Sequence, residues 1–424
     1  MAACPRCSSG CAPLRSTRTS TRAPTTCGSS APARSTGCCA TPASRRSTCA
    51  PSAARRCCAT ASTSWRAEPV RVLLDTTFAL RGHSGTGVYL AHLSEALQRL
   101  GVDVVEARNE GRRAPGGGVR RSVVNASADH WWTAVELPRR ARECRADVVH
   151  HPLPATSPLG FVPQVVTVHD LAFERLPDSF DARFRVWARL AHRAAARRAQ
   201  AVVAVSRTTA QDVMARWGIA ADRIVVARHG PGQEPDAVRP RDREPAHLLY
   251  VGDDEPRKNL GLLLAAHRLY REHAAAVAGT DEAFEPLPLV LAGSAHAEQE
   301  GVRVVERPDA EALARLFSGA AALVHPSLHE GFGLTPLEAM SAGVPVVAAC
   351  SPGVVEICGD ATLLVDPRDA HALAATLRRV STDQRLRRDL TERGRRRAAE
   401  FSWARSARDH VHAYTLAVER GGHG

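Results

Sequence analysis

From residue 70 to the carboxyl end, short apolar runs alternate with stretches whose apolar residues recur every three or four positions. Residues 70–75 (VRVLLD) predict a strand. The glycine-bearing segment to Gly87 predicts a loop, and residues 88–100 an amphipathic helix that Gly101 stops. Further strands follow at 102–105, 148–150, 165–169, 201–206 and 224–227, several of them separated by helical patterns such as 184–199. A second series at 247–252, 289–293, 302–306, 322–325, 344–348 and 362–365 repeats the alternation. Helical stretches at 369–380, 384–401 and 404–418 then close the chain. Such alternation predicts parallel sheets covered by helices on both faces.

Residues 231–245, rich in Pro, Arg, Asp and Glu, have little to bury and read as a linker. They divide the chain into two Rossmann-like doubly wound α/β domains, placed at 68–235 and 246–402, with a last helix at 403–421. A chain of 424 residues exceeds what one core usually serves, which agrees with two domains. Ligands of such sheets bind beyond the carboxyl ends of the strands, so residues just after strands are where chemistry is expected.

Residues 1–67 show neither period, hold almost no Leu, Ile, Val or Phe, and read as a disordered or artefactual extension. This changes the meaning of the net charge of +12: residues 1–65 carry nine arginines and no acid, so the remainder is nearly balanced and nucleic acid is not an expected partner. Nine of the twelve cysteines lie there too. Cys144, Cys350 and Cys358 alone give no disulfide framework, which fits a reducing, cytoplasmic setting. A transit peptide, or a zinc site from Cys4, Cys7 and Cys11, is a weaker reading of the extension. No apolar run approaches the roughly 18 to 20 residues that span a bilayer.

Residues 325–343 (HPSLHEGFGLTPLEAMSAG) start at a predicted strand end and open a predicted helix. Thr335 fits an N-cap, Pro336 the first helical position and Glu338 a capping box, with Gly343 as the stop. Around Gly331-Phe332-Gly333, main-chain N–H groups can converge on phosphate or sugar oxygens. Glu330 and Glu338 can both face the same cleft. Residues 253–260 (DDEPRKNL) follow the first strand of the second domain. There Arg257 and Lys258, the chain's only lysine, can neutralise a diphosphate. Asp253-Asp254 abuts that anion site rather than a set of ligands, which disfavours a metal role.

His169 ends a strand, and Asp170 could orient its imidazole. Residues 82–89 (GHSGTGVY) lack the third glycine of a dinucleotide fingerprint. Ser206 reads as a helix N-cap whose strand-end position also suits the acceptor side. Core packing is the default for His150, His151, Trp131 and Trp132, with a lipid interface as the alternative for the tryptophans.

Residues 330–343 closely resemble the signature of family 4 glycosyltransferases. Residues 253–260 resemble that family's G-x-x-x-P-R-K-N-L motif, 167–170 its T-x-H-D segment and 85–89 its G-x-G-x-Y loop. Residues 360–367 (DATLLVDP) and 401–403 (FSW) match its later landmarks. The resemblance covers residues 68–420 and implies the GT-B fold, in which the last helix crosses back to the amino-terminal domain.

It also implies retaining hexose transfer from a nucleoside diphosphate sugar without metal or further cofactor. In that picture Arg257 and Lys258 hold the departing diphosphate, Glu330 and His169 the sugar, and Glu338 the ribose. Phe332, Gly333, Leu334 and Thr335 contact sugar or phosphates, while Gly85 and Gly87 lie where donor phosphate and acceptor meet. The E-P-R-K-N form resembles bacterial mannosyltransferases, favouring GDP-mannose over a UDP-hexose. The acceptor would be a glycan, a polyprenyl-linked saccharide or a small molecule. A polyprenyl-linked acceptor would bring the protein to the inner face of the cytoplasmic membrane as a peripheral protein. Alternatives are a sugar-nucleotide epimerase of related fold and an inactive carbohydrate- or nucleotide-binding protein. A glycan phosphorylase is disfavoured because its pyridoxal cofactor needs a lysine and Lys258 is already committed.

Overall fold

A computed structural model of the chain describes residues 70–81, 85–112, 118–158, 162–232, 245–294 and 297–422. The amino-terminal extension and most of the predicted linker lie outside the described residues. The first sheet is built from β1 (Arg71–Asp75), β2 (Asp103–Ala107), β3 (Val148–His151), β4 (Gln164–Val168), β5 (Ala201–Ala204) and β6 (Ile224–Val226). Its order is β2-β1-β3-β4-β5-β6, parallel throughout. The second contains β7 (His247–Val251), β8 (Leu289–Gly293), β9 (Val302–Glu306), β10 (Ala320–His325), β11 (Val346–Ala349) and β12 (Thr362–Val365). It is also parallel, in the order β12-β11-β10-β7-β8-β9.

Helices of the first half are α1 (Gly85–Arg99), α2 (Gly118–Trp131), α3 (Leu137–Glu143), α4 (Ala172–Arg175), α5 (Ala182–Arg198) and α6 (Arg207–Asp212). A π-helical turn, Trp132–Glu136, joins α2 to α3. Those of the second half are α7 (Leu260–Ala276), α8 (Ala310–Gly319), α9 (Leu334–Ser341), α10 (Pro352–Cys358), α11 (Ala370–Thr382) and α12 (Gln384–Ala398), followed by α13 (Trp403–Gly421).

The strands are near-continuous apolar runs because both faces of each sheet are covered. On one face of the first sheet, Val72, Leu74, Val148, Val165 and Val203 pack with Leu93 and Leu97 of α1 and Tyr414 of α13. On the other, Leu73 and Val149 meet Trp132 and Leu137, while Val166, Val168 and Val202 meet Ala188 and Ala196 of α5. In the second half, Leu248, Leu289 and Val347 pack under α7 and α11 on one side, and Leu249, Leu323 and Val346 under α8, α9 and α10 on the other. Phe401 belongs to that second core. Immediately after it Ser402 caps α13 by accepting the Arg405 N–H at 3.2 Å, and the helix buries Ala407, Ala413 and Tyr414 in the core of the first half.

Local structure corrects three expectations. Helix α9 begins at Leu334, with Gly333 as N-cap at φ 99° and no side-chain capping bond, so Thr335 lies inside the first turn and Glu338 closes no capping box. A left-handed backbone is open to glycine at little cost, which lets the chain turn into the helix two residues early. Helix α1 likewise begins at Gly85, so Gly85 and Gly87 form its first turn rather than a preceding loop. Of the residues assigned to the core by default, His150, His151 and Trp132 are buried, but Trp131 is 63% exposed.

Candidate active site

In both sheets the strand order reverses once, between β1 and β3 in the first and between β7 and β10 in the second. The chain leaves such neighbouring strands in opposite directions, opening a crevice at their carboxyl ends. In the second half the loops after β7 and β10 fill that place. Asp253 anchors the first loop: its Oδ1 accepts the Ser294 N–H at 2.8 Å and the Ser294 hydroxyl at 2.6 Å. Asn259, at φ 57°, begins α7 and donates its amide to the carbonyls of Pro326 (3.2 Å) and Pro367 (2.9 Å). The Leu328 N–H donates to the Arg257 carbonyl at 2.9 Å. Main-chain and amide bonds thus tie the two loops together beneath their charges.

Between these loops sits Glu330. Its Oε1 lies 2.7 Å from Lys258 Nζ and 3.4 Å from His325 Nε2, and its Oε2 is 3.4 Å from Arg257 Nη1. Arg257 Nε also reaches Glu255 Oε2 at 2.8 Å. Burial opposes ionisation of Glu330, but Lys258, His325 and Arg257 together outweigh it and hold the carboxyl well below its ordinary range. Burial lowers the pKa of His325 in turn. Two cations therefore share one carboxylate, which suits the exchange of one anion for another.

Glu338 has a different setting. It is half-buried, and its carboxylate accepts the Gly232 N–H; burial raises its pKa to about 8, and the Gly232 bond offsets only part of that. Val88, next to Gly87, flanks the same glycine, which brings the first turn of α1 beside Glu338. Phe332 is buried, its ring centroid 4.8 Å from that of His229 and 6.1 Å from that of Phe401. Its side chain serves packing, and helix α9 that follows has no side-chain cap, so its first-turn N–H groups are not bound by a capping side chain.

The opposite wall comes from the first half. His169 follows β4, and its Nε2 lies 3.0 Å from the Pro152 carbonyl, which fixes the proton on Nε2 and leaves Nδ1 as the acceptor. Burial lowers its pKa, so the ring is neutral at pH 7. Asp170 does not orient the ring as expected: its Oδ1 accepts the Ala172 N–H at 2.9 Å. Tyr89 packs edge-on to the imidazole, with centroids 5.0 Å apart.

Gly331 abuts this wall, and any Cβ there would run into the His169 carbonyl. Ser206 does more than cap α6. It accepts the Thr209 N–H at 2.9 Å and donates its hydroxyl to the Gly331 carbonyl at 2.6 Å. Alongside, Glu356 of α10 accepts from the N–H groups of Arg207 (3.0 Å) and Thr208 (2.8 Å), with Arg228 Nη2 at 3.3 Å.

Sequence reasoning missed the buried network behind His169. The Tyr89 hydroxyl lies 3.0 Å from Thr167 Oγ1 and 2.8 Å from His410 Nε2. His150 links Thr167 at 2.8 Å to the Tyr414 hydroxyl at 2.9 Å. Burial lowers the pKa of His150 and takes that of His410 to about 4. Trp403 adds a bond from its indole N–H to the Pro231 carbonyl at 2.8 Å. Among the described residues no three His, Cys, Asp or Glu side chains gather in a metal-holding group, and no helix is long and apolar enough to cross a membrane.

Two doubly wound parallel sheets, with a loop pair carrying Arg257, Lys258 and Glu330 at the switch point of the second and His169 facing it from the first, define the GT-B architecture. Sucrose-phosphate synthase from Thermosynechococcus elongatus shares this fold with a TM-score of 0.64 at 19% identity, over 82% of this chain and 98% of that one. The Glycosyltransferase Family 4 model matches residues 83–231, and that of glycosyl transferases group 1 matches residues 233–397.

Among curated relatives, O-antigen chain mannosyltransferase B of Escherichia coli is 31% identical over 277 residues, 59% of this chain and 70% of that protein. Serotype-specific mannosyltransferase WbdA of Escherichia coli is 28% identical over 249 residues, 52% of this chain; the match spans only 29% of that longer protein. The chain belongs to the family 4, group 1 glycosyltransferases, which places it among enzymes that transfer sugar from nucleotide-sugar donors. The epimerase alternative finds no support.

Proposed function

We propose that this glycosyltransferase moves a hexose, with mannose from GDP-mannose favoured over a UDP-hexose, to a glycan or polyprenyl-linked acceptor with retention of anomeric configuration. The observation that carries the reading is the cluster of Arg257, Lys258 and Glu330 at the β7/β10 switch point. The named activities of the two mannosyltransferase relatives support the choice of sugar.

On donor binding, the diphosphate replaces Glu330 as the partner of Arg257 and Lys258, and the released carboxylate accepts hydroxyls of the sugar. The first-turn amides of α9, with Phe332, Gly333, Leu334 and Thr335, contact sugar and phosphate oxygens. Glu338 accepts the ribose hydroxyls in place of the Gly232 N–H. His169 accepts a sugar hydroxyl at Nδ1, and the turn at Gly85 and Gly87 faces the diphosphate and the acceptor.

The bond between the anomeric carbon and the β-phosphate oxygen breaks as the acceptor oxygen adds on the same face. The acceptor proton passes to the departing phosphate. Charge develops on that phosphate, where fixed cations act most strongly.

Nuclear magnetic resonance of donor and product tests the reading. An α-configured product from GDP-α-mannose is expected, and a β product would contradict retention. Faster turnover of a UDP-hexose than of GDP-mannose would overturn the choice of donor.

A further inference from the structure

The outward side of α5 is apolar where a solvated helix should be polar. Val186 is 61%, Trp187 59% and Leu190 67% exposed. At 100° per residue these three share a side, opposite Ala188, Ala195 and Ala196, which bury against the sheet. Helix α5 carries six arginines and no acidic residue. Arg183 and Arg189, exposed beside the apolar stripe, form no ion pair among the described residues. Strand register places α2–α3 and α5 on the same face of the first sheet: Leu73 pairs with Val149 under the former, and Val166 with Val202 under the latter. The exposed Trp131 at the end of α2 thus lies on the same covered side of the sheet.

We infer that this face docks on an anionic lipid surface, with Trp187 and Leu190 entering the headgroup boundary and Arg183 and Arg189 meeting lipid phosphates. Exposed aromatic and aliphatic side chains next to unpaired arginines are the chemistry of an interfacial helix. A second copy fits worse, since a two-fold contact at this helix would set arginines against arginines. Nucleic acid would satisfy the arginines but leave Val186, Trp187 and Leu190 without an apolar partner. The inference goes beyond the donor-site reading, because binding to vesicles needs neither donor nor catalysis.

The test is flotation of the full chain with vesicles of phosphatidylglycerol and phosphatidylcholine, and with phosphatidylcholine alone. Wild type is expected to float with the anionic vesicles, less at high salt, and to stay behind with the neutral ones. A Trp187→Ser/Leu190→Ser double variant should lose about tenfold or more of its partitioning, and Arg183→Glu/Arg189→Glu should lose its salt-sensitive part. Both variants should keep the wild-type melting temperature and the wild-type rate on a water-soluble acceptor. Failure of wild type to float overturns the inference. So does a Trp187→Ser/Leu190→Ser variant that floats as wild type does, which would put binding elsewhere, for example on the arginine-rich extension. A dimer by light scattering that the same variant makes monomeric would assign the face to a second copy instead.

Discussion

At the carboxyl ends of β7 and β10 the polar groups include half-buried ions: Glu330 is held between Lys258 and Arg257, with the buried His325 alongside. Around β3 and β4 they are neutral: Tyr89, His150, Thr167, His410 and Tyr414, joined by hydroxyl and imidazole bonds. The two halves share a sheet layout and differ in what they can exchange. An ionic cluster in which one carboxylate bridges two cations can trade that carboxylate for a ligand's charge. A closed neutral network has no spare partner to trade and fixes geometry, here the position of the His169 wall and of α13. The proposed donor site in the second half and rigid support in the first rest on that contrast.

The largest break in the comparison should come from Lys258→Ala. Removing one fixed cation from a site where phosphate charge develops is expected to cost about a hundredfold or more in transfer rate at saturating donor. Initial rates check this, and a variant with the wild-type rate would remove Lys258 from the mechanism. Gly331→Val comes next. Its side chain meets the His169 carbonyl, so the two walls cannot approach, and the rate should fall by about tenfold or more. The readout is kcat together with thermal stability, which the clash should lower as well.

The neutral half should respond in stability instead. His150→Leu leaves the Tyr414 hydroxyl without its His150 partner and Thr167 with Tyr89 alone, and should cost about 1–3 kcal/mol in denaturant melts. Activity per folded molecule should stay near wild type if the network only supports.

Acid separates the buried histidines from the Glu330 carboxylate. His150, His169 and His410 are neutral in the fold, with pKa values below the ordinary 6.5, so the unfolded chain binds more protons than the folded one below that pH. Stability contributed by their neutral state is complete above about 6.5 and is lost as the pH falls toward 4. Glu330 stays ionised through this window and loses its contribution only below the ordinary carboxylate range. Melting temperatures from pH 7 to pH 4 should therefore fall in wild type and fall less in His410→Asn.

Glu338 gives an effect of the opposite sign. Its carboxyl, raised to about 8, keeps a proton that the unfolded chain has released above about 4.5, so stability falls as the pH rises through that interval. Glu338→Gln should melt no higher than wild type near pH 5 and a few degrees higher near pH 8. An equal gain at both would mean that the carboxyl is not perturbed.

These contrasts were unequally visible in the chain. Among the described residues all twelve strands follow from apolar runs, since a buried parallel strand needs little beyond hydrophobic side chains. The residues of the ionic cluster were also legible, since Arg257, Lys258 and Glu330 sit in compact motifs after strands, but their pairing with one another was not. The neutral network was not, because Tyr89, His150, Thr167, His410 and Tyr414 meet only through folding, and each alone looks like ordinary core.

The start of α9 was misread because Thr335-Pro336-Leu337-Glu338 satisfies the local capping rules, whereas the observed cap depends on the positive φ of Gly333. Trp131 was misread for another reason: Trp131 and Trp132 are adjacent in sequence, yet the helical turn points one out and the other in.

The central claim, that Arg257 and Lys258 form the diphosphate site, is tested most directly by calorimetric titration of wild type and Lys258→Ala with GDP and with GMP. The account predicts that the variant loses about tenfold or more of its affinity for GDP and little for GMP, because only the diphosphate reaches the cluster at Glu330. Equal affinity of wild type and variant for GDP, or an equal loss for both nucleotides, would contradict it.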